Sequence, residues 1–157
     1  MSIPRERVGL PTAITVVPWR DPVGEATGHR PGSAYVEAVW LPVLGPSATW
    51  AWQRLARIAT VHSPVRLEVA ELAAGIGLGG RLGASSTMAR TLERLERFGA
   101  LRRSGEVFAV RVALPDLSES RVARLGASAR LAHRNLAAGP GNVPAPEMDT
   151  HRPELVP

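Results

Sequence analysis

The sequence predicts an α+β fold: a mainly helical domain with a small β-hairpin near its C-terminal side. Three observations predict it. Apolar residues recur at helical spacing through most of the middle of the chain. The stretch "ALRRSGEVFAVRV", residues 100–112, alternates apolar and polar side chains around Ser-Gly. Cysteine is absent, so neither a disulfide framework nor a cysteine-based zinc site can organise the fold.

The 157 residues suit one compact domain with extra ends, and 45% hydrophobic residues make a core feasible. Residues 1–32 hold five prolines and four glycines, a density that forbids a long helix. This segment reads as a flexible N-terminal arm, with "AITVVPW" as one short extended piece laid on the domain. "SAYVEAVWL", residues 33–41, opens the domain at 33–138. Ser33 is placed to cap it, and "LPVLGPS" breaks it. Pro46 then begins the next helix, in which Ala48, Ala51, Trp52, Leu55, Ile58 and Ala59 form the inward face. Gln53, Arg54, Arg57 and Trp50 fall on the other side. "SPVRLEV" predicts a short strand, and "VAELAAGIGLG" a short helix with a glycine stop.

The segment "SSTMARTLERLERFGAL" predicts a helix capped by Ser85 or Ser86. Met88, Leu92, Leu95 and Phe98 make its apolar stripe. Arg90, Arg94 and Arg97 lie within an arc of roughly 60°, turned well away from that stripe. Gly99 ends the helix, and Ser104-Gly105 predicts the hairpin turn. "LSESRVARLGASARLAHRNLAA", residues 117–138, predicts a final helix with a seam of small residues. It serves either as a homodimer contact or as a helix packed back on its own chain. The Pro-rich stretch 139–157 predicts a disordered C-terminal tail.

Charge narrows the function. All 19 basic residues are arginine, with no lysine. Arginine keeps its charge and forks onto phosphate or guanine. Residues 1–46 are neutral overall, residues 47–135 carry net +7, and residues 136–157 carry net −2. A basic middle of this kind suggests an anionic partner, usually nucleic acid.

His29, His62, His133 and His151 are scattered and make no metal-ligand spacing. "GIGLGG" lacks the preceding buried strand and the lysine of a phosphate loop. The expectation is therefore a non-enzyme with no catalytic residues, no metal and no cofactor. No apolar run approaches ~18 residues, so no membrane span is expected. The opening residues lack a long apolar signal segment, which makes the cytoplasm the expected location.

The order helix, helix, short strand, helix, glycine-rich turn, helix, two-stranded hairpin resembles a winged helix-turn-helix domain. "VAELAAGIGLG" is similar to the first helix of such a turn, "SSTMARTLERLERFGAL" to a recognition helix, and "RRSGEVFAVRV" to a wing. "LERLERFGALRR" resembles the leucine-rich, glycine-terminated ending widespread in bacterial winged-helix regulators. "YVEAVWLPVLGPSATW" is similar to the opening of uncharacterised actinobacterial helix-turn-helix proteins. The resemblance covers roughly half the chain. The turn "GLGGRLGAS" departs from it, being longer than in the simplest members and rich in glycine.

The resemblance implies a transcriptional regulator that binds double-stranded DNA through a recognition helix at 85–98 and a basic wing at 100–112. Ser85, Ser86 and Thr87 would take the N-terminal contact positions, and Arg90 and Arg94 the groove-facing ones. Arg97 would meet phosphate or Glu93, and Arg81 in the loop would reach phosphate. Arg102, Arg103 and Ser104 would form the wing tip. The alternative is a winged-helix protein–protein interaction module without DNA binding, in which Trp50 would matter more than the arginines.

Overall fold

A computed structural model of the chain describes residues 9–138. The fold is α+β, with helices packed around a four-stranded sheet. Strand β1 (Ala13–Pro18) is followed by the short helix α1 (Pro22–Thr27). A π-helical turn, Val36–Trp40, runs directly into α2 (Leu41–Leu44). Next come α3 (Pro46–Val61), β2 (Val65–Glu68), α4 (Val69–Gly75) and α5 (Thr87–Arg97). The hairpin β3 (Leu101–Ser104) and β4 (Val107–Val110) precedes α6 (Glu119–Val122) and α7 (Ala127–Leu136). Among the described residues no helix is long and apolar enough to cross a membrane.

The sheet corrects the expectation of a flexible arm for the described part of 1–32, residues 9–32, where the extended piece read from "AITVVPW" is β1. The sheet order is β2-β1-β4-β3, so β1 forms an inner strand. β1 runs antiparallel to β2, with Ile14 opposite Leu67, and parallel to β4, with Val16 beside Phe108. Ile14, Val16, Phe108 and Val110 are fully buried. The physical reason is the period-2 pattern of "AITVVP": it gives one apolar face to the core, and its backbone groups find partners on both sides. Residues 1–8 and the tail 139–157 lie outside the described residues.

α3 lies against β1 and β4 of this sheet, with Trp52, Leu55, Ala56 and Ala59 buried. Trp52 donates its indole N–H to the Arg111 carbonyl at 2.8 Å, and Trp40 donates to the Pro115 carbonyl at 2.9 Å. These two bonds anchor the early helices to the segment that leaves the hairpin. Gln53, expected outside, is buried because its Oε1 accepts the Gly32 amide at 2.6 Å.

Two helix boundaries also differ from expectation. The first helix runs past Leu41 and ends inside the stretch "LPVLGPS" expected to break it. The wide turn at 36–40 precedes Pro42, which has no N–H to give and whose ring crowds the preceding turn. The break comes at Gly45, whose φ of 80° suits only glycine well. The single helix expected over 117–138 is two pieces. Gly126 adopts an extended conformation at the start of α7, and the chain turns there.

That turn brings α7 back against the π-helical segment of its own chain, with Ala129 buried. Buried Tyr35 locks it. Its hydroxyl pairs with His133 Nδ1 at 2.7 Å and accepts the Leu117 amide at 2.8 Å, while its ring stacks on His29 at 3.7 Å. Burial pushes the Tyr35 hydroxyl up to about 12.

Candidate nucleic-acid interface

α5 is built for one orientation. Ser86 caps it, its hydroxyl accepting the Ala89 amide at 3.1 Å. At the other end the Ala100 amide reaches the Leu95 carbonyl and the Gly99 amide reaches Glu96. Gly99 sits at φ 72°, the left-handed residue this C-terminal motif needs. Met88, Leu92 and Leu95 are fully buried, largely against α3. Arg90, Arg94 and Arg97 are consequently forced to the exposed side.

That side is concave. A groove of about 530 Å³ separates the arginine face of α5 from the start of α3. A second hollow of about 760 Å³ lies over the glycine-rich loop, walled by Arg81, Ser85, Ser86 and Thr87. The two share Thr87 and Arg90, so they form one continuous surface. Among the described residues, the side chains of Arg81, Arg90 and Arg97 make no hydrogen bond or ion pair. The Glu93–Arg97 pair that sequence spacing allows is not formed; the five ion pairs among the described residues involve other side chains. Among the described residues the first amides of α5, Thr87 and Met88, have no acceptor, which leaves donors and a partial positive charge at this end.

The remaining expected contact residues divide sharply. Arg94 is exposed but already donates to the Val43 carbonyl at 2.6 Å and lies over Phe98. Ser85 and Thr87 are exposed, whereas the Ser86 oxygen is occupied by the cap. In the hairpin, Arg103 donates twice to Glu96, at 2.9 and 2.7 Å, tying the strand to α5. Arg102 stacks on Trp19 at 3.7 Å. Ser104 is exposed at the end of β3, and the turn itself is Gly105-Glu106, one residue later than expected, with Gly105 at φ 59°.

Trp19 is sandwiched, because Arg111 lies on it at 4.0 Å. Arg111 also donates to Asp21 at 2.7 Å and to the Gly99 carbonyl at 2.9 Å. The hydrogen bond to Asp21, with help from the Gly24 amide, holds the Asp21 carboxyl below its usual value.

Three participants escape sequence reasoning. The start of α3 reads as a helix opener, not as a wall of the surface. Trp19 reads as part of the arm. Thr91 lies roughly 60° from both Arg94 and Met88 on the wheel, at the border between core and surface, and so carries no signal. It is 5% exposed, at the floor of the 530 Å³ groove. No family model matches this sequence, and no curated protein or solved structure matches it.

Proposed function

We propose that this chain is a winged helix-turn-helix protein that binds double-stranded DNA and acts as a transcriptional regulator. The observation that carries the reading is the continuous concave surface on which Arg81, Arg90 and Arg97 stand unpaired beside the open amides of α5. Unpaired guanidinium groups release counterions on meeting phosphate, and a helix of this kind can enter a major groove. The order α3, β2, α4, α5, β3, β4 supports the same reading. β1 is an addition to that pattern: it separates β2 from β4. With Arg103 held by Glu96 and Arg102 on Trp19, the helix is assigned the main share of DNA binding and the hairpin a supporting one.

The reading includes a two-fold dimer matched to a two-fold DNA site. α7 packs Ala129 against its own chain but presents Leu131 and Leu136 outward. Sedimentation of the full chain tests this, and a monomer at every concentration rejects it.

A second reading rests on Trp50, which is 57% exposed on α3. An aromatic of this size on a surface suits a protein partner. A mobility-shift titration on genomic fragments at two salt concentrations separates the two. Selective binding that weakens with salt supports the regulator, and no binding at low salt favours the protein-interaction module.

A further inference from the structure

The groove between α3 and α5 gathers hydrogen-bond donors from two helices. α3 is a 16-residue helix whose N-cap, Gly45, offers no side-chain cap. Pro46 has no N–H, and the amides of Ser47 and Ala48, both lining the groove, have no acceptor among the described residues. Opposite them lies Thr91, almost fully buried. Among the described residues its hydroxyl has no hydrogen-bond partner, unlike those of Thr49 and Thr60, which bond back to their own helix or its cap. Nor is that hydroxyl sealed in the core. The hydroxyl is therefore open to solvent and available to an acceptor in the groove.

We propose that this groove binds one phosphate group, held by the Ser47 and Ala48 amides, the Thr91 hydroxyl and the guanidinium groups of Arg90 and Arg97. The charged side chains of its wall are Arg90, Arg94, Arg97 and Glu93, a net charge of +2. That balance suits a dianion. Amide, hydroxyl and guanidinium donors converging from two helices match the several acceptor oxygens of phosphate. A volume of about 530 Å³ leaves room for the organic part of a phosphate ester. The group comes either from a phosphorylated small molecule or from a DNA backbone. The site stands on the atoms of the groove and does not require that DNA be the partner.

The test is a titration of the full chain with inorganic phosphate at constant ionic strength, with chloride as control, followed by amide NMR. Phosphate shifts the Ser47, Ala48 and Thr91 signals saturably, and chloride does not. Thr91→Val weakens phosphate binding at least threefold while leaving the melting temperature unchanged or higher, because the removed hydroxyl had no partner. Glu93→Gln tightens binding by removing the one acid, and serves alone if the valine variant does not fold. A short duplex that displaces phosphate identifies the backbone as the source. A duplex that leaves phosphate in place, or does not bind, identifies a free phosphate ester and leaves the site standing even where the DNA reading fails. Absence of saturable shifts at Ser47 and Ala48, or unaltered affinity in both variants, overturns the proposal.

Discussion

Two groups of arginines stand a few residues apart in this chain and have opposite surroundings. Those of the hairpin are engaged: Arg103 on Glu96, Arg102 on Trp19, and Arg111 on Trp19, Asp21 and the Gly99 carbonyl. Those of α5 are mostly open, since Arg90 and Arg97 have no partner among the described residues and only Arg94 is tied, to Val43. Formal charge treats the two groups alike, but the positive charge free to meet an anion does not follow that count. The hairpin arginines tie down Trp19 and Asp21, just after β1, and α5, while the helix arginines are left for another molecule.

The difference can be broken from either side. The largest effect is expected from Arg111→Ala, which removes the bond to Gly99 and the packing on Trp19. A loss of about 2 kcal/mol in urea unfolding is expected, and a loss within about 0.5 kcal/mol would remove Arg111 from the structural group. Arg90→Ala with Arg97→Ala should do the reverse. Stability stays within about 0.5 kcal/mol, while DNA affinity falls on the order of tenfold, about 1.4 kcal/mol. Arg102→Ala with Arg103→Ala should cost about 1 kcal/mol of stability, from two cation–π pairs, on Trp19 and Phe108, and one partly exposed ion pair.

Acid sharpens the comparison further. Asp21 is held below its usual value by Arg111, so its contribution is present above the unfolded pKa, about 3.9. That contribution is lost as pH falls through the lower folded value. Arg111→Ala should flatten this part of the stability–pH profile. Tyr35 works in the opposite direction. Its raised pKa stabilises the fold below the unfolded value of about 10, and this is lost as pH rises toward about 12. The smallest effect is expected at Trp50. Trp50→Ala should change stability by about 0.5 kcal/mol or less, and a larger loss would show that the ring packs on the domain.

Much of the helical middle was legible because periodicity is local. The inward face of α3 and the cap and stop of α5 follow directly from Ala51, Trp52, Leu55, Ser86 and Gly99. The inner position of β1 was not legible. Six residues of "AITVVP" encode a strand, but their neighbours are Val65–Glu68 and Val107–Val110, some 50 and 90 residues away, and local pattern does not carry such pairings. The division of 117–138 had a signal in Gly126, outweighed by apolar spacing on both sides. At the candidate site, the helix wheel aimed Arg90, Arg94 and Arg97 correctly. It could not tell which would find partners, because Val43 for Arg94, like Trp19 for Arg102, is distant in sequence.

If α5, rather than the hairpin, carries the charge available to DNA, the salt dependence of duplex binding will show it most directly. The comparison is between the wild type and the two double variants. Each phosphate that the protein no longer neutralises lowers the slope by about 0.9. The expected drop is about 2 for Arg90→Ala with Arg97→Ala, and below about 1 for Arg102→Ala with Arg103→Ala. An unchanged slope for the first pair, or a larger drop for the second, would contradict the assignment of the free charge to α5.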